Sequence, residues 1–104
     1  MQLHPLKLVT IVTEQVTREQ IVKKILEFGA VGCTWSESQG VGARGVRSAS
    51  SLSGNVRIEV ACAQPIAEKI LTYVSRNYFE HYACIAWQTD ISVVRGVRYV
   101  GSEA

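Results

Sequence analysis

The stretch LKLVTIVT, residues 6–13, contains the pattern that decides the fold. Its β-branched residues favour a strand, and its apolar side chains occupy both alternating faces. Leu8 and Val12 lie on one face. Val9 and Ile11 lie on the other. A strand that is apolar on both faces is typical of the middle of a sheet, covered on both sides. The sequence therefore predicts a central strand around which the other elements pack.

A helix and a second strand are predicted next. Residues 17–29 (TREQIVKKILEFG) start with Thr17 and Gln20 at the spacing of a capping box and stop at Gly29, a residue typical of helix C-termini. The apolar side chains at helical spacing are Ile21, Val22, Ile25, Leu26 and Phe28. The short segment Ala30–Ser38 (AVGCTWSES) then predicts a strand.

The second half of the chain repeats this order. Val56–Cys62 alternates apolar Val56, Ile58, Val60 and Cys62 with less apolar residues, so only one face of this strand is apolar. A second helix is predicted from Gln64, with Pro65 at the first helical position, to near Glu80. Its inward-facing side chains are Ile66, Ile70, Tyr73, Val74 and Tyr78. A fourth strand is predicted over Ala83–Thr89, and one or two short strands, broken at Gly96, over Ile91–Val100.

The predicted order is β-α-β-β-α-β with a short β extension. This is the α+β, ferredoxin-like arrangement, in which both helices pack on one face of an antiparallel sheet. A chain of 104 residues suffices for one such domain, spanning residues 1–104. Because the central strand is apolar on both faces, the face without helices is expected to meet another subunit.

Composition narrows the function classes. With 47% hydrophobic and 19% charged residues and no long apolar run, the chain is expected to be neither disordered nor membrane-spanning. No basic stretch leads into an apolar core at the start, so a cytoplasmic location is expected. The net charge of +2 is too small to indicate duplex binding. Cys33, Cys62 and Cys84 are expected to be buried thiols, and His4 and His81 lack partners at metal-ligand spacing.

The loop over residues 39–54 (QGVGARGVRSASSLSG) has no predicted regular structure and is long enough to suggest a function. Gly40 to Gly45 matches GxGxxG, but no helical pattern begins inside the motif, as a dinucleotide-binding fingerprint requires. Glycine amides and the forked guanidinium groups of Arg44 and Arg47 could still bind phosphate. The alternative, a solvated loop that binds nothing, stays open.

Two other functions compete. Small ferredoxin-like hydrolases hold phosphate beside an arginine and position water with an asparagine, and Asn55 follows the loop. However, the basic loop comes after the second strand, and no acid or base pair is placed for catalysis, so an enzyme is not expected. RNA binding would need aromatic and basic residues along the strands, and that signature is absent, so no nucleic-acid partner is expected.

The sequence resembles the PII-like signalling proteins over nearly its whole length. The matching segments are IVTE (11–14), GAVGCT (29–34), GVGARGVRS (40–48) and NYFEHYA (77–83), and the glycine and arginine spacing of the third is the most specific. The resemblance is greatest to the SbtB branch, which regulates the bicarbonate transporter SbtA in the carbon-concentrating mechanism of cyanobacteria. A carboxysome-associated PII-like branch is the rival identification.

The resemblance implies a homotrimer that binds adenine nucleotides (ATP, ADP, AMP or cAMP) as effectors in clefts between subunits. It also implies that the long loop, the T-loop, regulates SbtA from the membrane periphery. Neither an obligate cofactor nor a metal is predicted. Where relatives have Ser and Gly this chain has Ala43 and Cys84, and a cysteine-containing extension after Tyr99 is absent, so thiol switching and nucleotide hydrolysis are not transferred. The nucleotide-binding residues implied are Ser38, Gly40, Gly42, Ala43, Arg44, Arg47 and Cys84.

Overall fold

The computed structural model describes residues 1–42, 45–46 and 54–95. The helices and strands in these ranges confirm the predicted order, with a two-strand hairpin added inside the long loop. They are β1 (His4–Glu14), α1 (Arg18–Glu27), β2 (Thr34–Ser38), β3 (Val41–Gly42), β4 (Gly45–Val46), β5 (Asn55–Cys62), α2 (Gln64–Tyr78) and β6 (Ile85–Val93).

The main sheet has four strands in the order β2-β5-β1-β6, and every neighbouring pair is antiparallel. β1 is central, as predicted: it pairs with β5 from Lys7 to Glu14 and with β6 from His4 to Val12. β3 and β4 form a separate two-stranded sheet. This topology is the ferredoxin-like fold that the sequence predicts.

The core lies between the sheet and the two helices. Val9 and Ile11 of β1 are fully buried there, opposite Val60 and Ile58 of β5 in the strand register. The alternation predicted for β5 is confirmed, because its four apolar residues are all buried. The helices contribute the buried side chains of Ile21, Ile25, Ala67, Ile70, Val74 and Tyr78.

The opposite face of the sheet, here called the open face, has no covering element among the described residues. Leu8 and Val12 of β1 lie on it and are half-buried. Beside them on β6, Ile85 is 58% exposed and Trp87 39% exposed. The prediction that β1 presents apolar residues on both faces is therefore confirmed, and in the part of the chain that the structure describes the helices cover only one of these faces.

The start of α1 differs from the prediction. A 3₁₀ turn over Gln15–Thr17 precedes the helix, and no side-chain cap forms at Thr17, so the predicted capping box is wrong. The Thr17 hydroxyl instead donates to the Glu14 carbonyl oxygen (2.8 Å) and lies 2.9 Å from the Thr13 hydroxyl. Leu26, predicted to face the core, is 49% exposed.

Three predicted boundaries are also corrected. The chain after α1 turns at Gly29 (φ 106°), the predicted stop, and β2 begins only at Thr34 instead of Ala30. α2 ends at Tyr78 instead of near Glu80. β6 is one continuous strand through residues 85–93, so no new strand begins at residue 91. The rest of that prediction, residues 96–100, lies outside the described residues.

A hydrogen-bonded aromatic cluster joins the two helices. The hydroxyl of Tyr78 lies 3.1 Å from that of Tyr73 and donates to Gln20 Oε1 at 3.3 Å. Tyr73 also meets Phe28 edge-on, with 5.9 Å between ring centroids. Burial, together with the hydrogen bond to Tyr73, raises the pKa of Tyr78, so its hydroxyl stays protonated.

The three cysteines are free thiols. Cys62 is fully buried, as predicted, whereas Cys33 and Cys84 are only half-buried. Burial raises the pKa of the Cys62 thiol to about 11 and also raises the pKa of Cys33. Both are therefore neutral thiols near pH 7.

We expect the core position Ile58 and the exposed position Leu26 to respond differently to truncation. Replacing Ile58, which is fully buried, by alanine removes buried surface and leaves a cavity, so it should lower the free energy of unfolding by about 2–5 kcal/mol. Leu26→Ala should change it by about 0.5 kcal/mol or less. Urea denaturation at one protein concentration measures both, and equal losses would contradict the placement of Leu26.

Candidate functional site

The register of the sheet brings both ends of the long loop together. Ser38, the last residue of β2, pairs with Asn55 at the start of β5, and Asn55 pairs with Glu14 at the end of β1. Gly40 lies two residues beyond Ser38, and Gly54 directly precedes Asn55. We call this end of the sheet, defined by these five residues, the loop base. The loop leaves and returns at the same place.

The loop itself is not wholly irregular, contrary to the prediction. Val41 pairs with Val46 and Gly42 with Gly45, which gives a small antiparallel hairpin. The described part of the motif thus forms a hairpin instead of the helix start that a dinucleotide-binding fingerprint requires. Three predicted phosphate ligands, Ala43, Arg44 and Arg47, lie outside the described residues.

Cys84 lies near the loop base at the opposite edge of the sheet from β2. The Thr13 hydroxyl hydrogen-bonds its sulfur, and the neighbouring Ala83 N–H donates to Glu14 Oε2 at 2.7 Å. Burial raises the pKa of the Cys84 thiol and Glu14 raises it further, while the bond from Thr13 acts in the opposite direction. Cys84 is therefore a neutral thiol beside the end of β1.

Ser38, Gly40 and Cys84 thus lie at one end of the sheet, but they do not form one contact cluster. β5 and β1 lie between β2 and the residues that precede β6. With neighbouring strands about 4.8 Å apart, three spacings separate Ser38 from the Cys84 side by about 14 Å. A ligand that contacts both must pass over Asn55 and Glu14.

Sequence reasoning missed Asn55 and Glu14 as candidate binding residues. Asn55 entered only through the hydrolase alternative, and Glu14 entered only as the last residue of the matching segment IVTE. The Oδ1 atom of Asn55 is buried and has no hydrogen-bond partner in the structure as described. A buried acceptor without a donor is costly, which makes it a candidate ligand contact. The position of Asn55 directly after the loop was the one signal in the sequence.

Apart from the loop base, a groove lies on the open face near the start of β2. Its volume is about 490 Å³, and its lining combines apolar residues with Thr34, Cys33 and Glu59. Its remaining lining residues are Leu8, Val31, Gly32 and Ala61. Such a mixture of apolar surface and a few polar groups is typical of small-molecule sites. Within one chain, the length of β2 separates this groove from Ser38.

Two further findings concern other kinds of site. Across the described ranges, no three His, Cys, Asp or Glu side chains come close enough together to hold a metal ion. Neither α1 nor α2 has the length and apolar character that a membrane-crossing helix requires.

Comparison with known proteins identifies relatives of the chain. The family model described as nitrogen regulatory protein P-II matches residues 6–98. A PII-like signaling protein from Thermus thermophilus is 41% identical, with a TM-score of 0.84, over 96% of this chain and 100% of that one. These two matches cover almost the entire fold.

Two more distant structures share the fold. CPII from Thiomonas intermedia, described as bound to ADP, AMP and bicarbonate, is 21% identical with a TM-score of 0.85 over 94% of this chain and 96% of that one. The GlnK–ATP complex of B. subtilis is 15% identical with a TM-score of 0.57 over 82% of each chain.

The family also decides between the functional classes that the sequence left in competition. The prediction of a PII-like protein is confirmed at the level of the family, and so is the prediction of a signalling protein instead of an enzyme. The match over residues 6–98 and the 41% identity to the Thermus protein establish that the chain belongs to the nitrogen regulatory protein P-II family of signalling regulators.

Proposed function

We propose that this protein senses adenine nucleotides at the loop base and signals through the loop over residues 39–54. The observation on which the proposal rests is the row Ser38–Asn55–Glu14, which aligns both ends of the loop at the end of the sheet where Glu14 also binds the Ala83 N–H. The buried, unpaired Oδ1 of Asn55 in that row is a polar atom that a ligand could satisfy. CPII, which has the same fold, is bound to ADP and AMP, and GlnK to ATP.

The phosphate groups of the nucleotide are assigned to the loop. Glycines at positions 40 and 42 let backbone N–H groups approach an anion, and Arg44 and Arg47 can each form forked bonds to phosphate oxygens. Ser38 and Cys84 complete the proposed set of binding residues together with Ala43. No acidic residue occurs between positions 39 and 54, so nothing in the loop sequence competes for the two guanidinium groups.

The site is proposed to lie between subunits of a homotrimer. Ile85 and Trp87 expose large apolar side chains on the open face, which is unfavourable in water. Association of identical subunits would cover these side chains. The groove at Cys33, Thr34 and Glu59 opens on the same face. A neighbouring subunit could then supply that groove for the adenine ring while the loop base holds the phosphates.

The output is proposed to be regulation of the bicarbonate transporter SbtA, as in the SbtB branch that the sequence resembles. Ordering a loop rich in glycine and serine costs about 1 kcal/mol or more per residue, so a bound nucleotide can decide its conformation. The arginines cannot hold phosphate and partner at once, so occupancy should change the affinity for the transporter. The protein would then be cytoplasmic and peripheral to the membrane when bound.

Assembly can be tested on the open face. The wild-type protein should have the mass of a trimer in light scattering at micromolar concentration. Ile85→Lys introduces a charge that the isolated fold tolerates but a covered interface does not, so it should shift the mass toward the monomer. Leu26→Lys, at an apolar position on α1 that is also about half exposed, serves as the control and should remain trimeric. A monomeric wild type would contradict the inter-subunit site.

Nucleotide binding can be tested at the two loop arginines. Arg44→Ala and Arg47→Ala should each weaken binding by about 1.5–3 kcal/mol, because each removes a hydrogen bond to a charged group. Titration calorimetry with ATP, ADP, AMP and cAMP measures this, and adenosine should bind far more weakly than AMP. Arg76→Ala, on the exposed side of α2, should bind normally. Unchanged affinity in the Arg44/Arg47 double variant would overturn the phosphate assignment.

The effector role of the loop can be tested by deletion. Solubilised SbtA should be captured by the wild-type protein to an extent that depends on which nucleotide is added. Deletion of residues 43–52 should abolish both capture and its nucleotide dependence, since the proposed contact surface is gone. A deleted protein that still binds SbtA and still responds to nucleotide would show that the loop is not the effector surface.

A further inference from the structure

Three separate segments of the chain meet at the end of β1. The Gln15 N–H donates to the Gly54 carbonyl oxygen at 2.7 Å, which attaches the return of the loop. The Glu14 carboxylate accepts the Ala83 N–H, also at 2.7 Å, which attaches the turn that precedes β6. The Glu14 carbonyl oxygen accepts the Thr17 hydroxyl at 2.8 Å, which attaches the start of α1. Two consecutive residues therefore fix both sides of the loop base.

The Glu14 carboxylate supplies a hydrogen-bond acceptor for the Ala83 N–H at a position where the sheet supplies none. β6 begins at Ile85, and its pairing with β1 ends at Val12, so no strand ladder supplies an acceptor for the Ala83 N–H. A partly buried N–H without an acceptor destabilises the local conformation, whereas a carboxylate forms a short, charge-assisted hydrogen bond. The placement of residues 83–84 against β1 thus depends on the side chain at position 14.

We propose that Glu14 is a positioning residue for the nucleotide site, an inference that rests on the function proposed above. By accepting the Ala83 N–H, Glu14 holds the neighbouring Cys84 against the end of β1. A ligand that contacts both Ser38 and Cys84 must pass over this point. Through the adjoining Gln15–Gly54 bond, the same strand end fixes where the loop returns. The Glu14 side chain therefore fixes the Cys84 side of the site relative to the loop return, which the backbone of Gln15 holds.

This role predicts a difference between two substitutions of one residue. Glu14→Gln keeps an oxygen that can accept the Ala83 N–H, so AMP affinity should stay within about threefold of wild type. Glu14→Ala removes the acceptor, and AMP affinity should fall about tenfold or more, as expected for loss of a hydrogen bond to a charged group. Glu19→Ala, an exposed glutamate in the first turn of α1, is the matched control and should bind like wild type.

The second readout is the conformation of the loop. Trypsin cleaves after arginine, so Arg44 and Arg47 report directly on the loop. AMP should slow this cleavage in wild type and in Glu14→Gln but much less in Glu14→Ala, compared at AMP concentrations that occupy each variant equally. If Glu14 had a merely structural role, its replacement would lower the stability of the protein, but AMP would protect the loop equally well in Glu14→Gln and Glu14→Ala. Urea denaturation of each variant measures the loss of stability.

The outcomes separate this inference from the proposed function. If the wild-type protein binds no adenine nucleotide, the proposed function fails and this inference with it. If the wild type binds AMP and Glu14→Ala binds equally well, or if Glu14→Gln is as weak as Glu14→Ala, only the positioning role is overturned. Should Glu14→Ala not fold, hydrogen exchange at the Ala83 amide of the wild-type protein decides: AMP should slow it, and an unchanged rate contradicts the role.

Discussion

The pairing of β1 along both of its edges is the constraint on which the rest of the fold depends. Because β1 is held by β5 on one side and by β6 on the other, it cannot shift in register without breaking two ladders. A shift of one residue would also move Val9 and Ile11 from the core to the open face. The same register then fixes what meets at the strand ends. Ser38, Asn55 and Glu14 are aligned because the apolar residues farther along these strands are aligned.

The elements that the sequence predicts well are those in which local pattern and tertiary packing agree. In β5 every second residue is apolar and buried, and α2 has both a proline at its start and a continuous apolar stripe. The errors lie where a tertiary contact replaces a local one. Thr17 does not cap α1 because its hydroxyl is used by the Glu14 carbonyl and Thr13. β2 does not start at Ala30 because the Ala30 N–H still donates to the Ile25 carbonyl oxygen of α1.

The candidate site was predictable only in part, for a related reason. Glycine spacing and arginines are readable in the loop sequence, and the family resemblance adds Ser38 and Cys84. Nothing local to Asn55 or Glu14 reveals that they lie side by side, because their proximity is a property of antiparallel pairing between distant segments. The role of the carboxylate in the sequence IVTE can be inferred only from the structure, in which it accepts the Ala83 N–H.

The apolar open face has a consequence for the abundance of the protein in the cell. If identical subunits cover Ile85 and Trp87, part of the folding free energy is gained only on association, and stability then follows mass action. At low concentration more of the chain remains as single subunits with this patch in water, where chaperones and proteases act on it. Expression level then sets both the number of subunits made and the fraction that survives. The amount of assembled protein would therefore rise more steeply than the rate at which its subunits are synthesised.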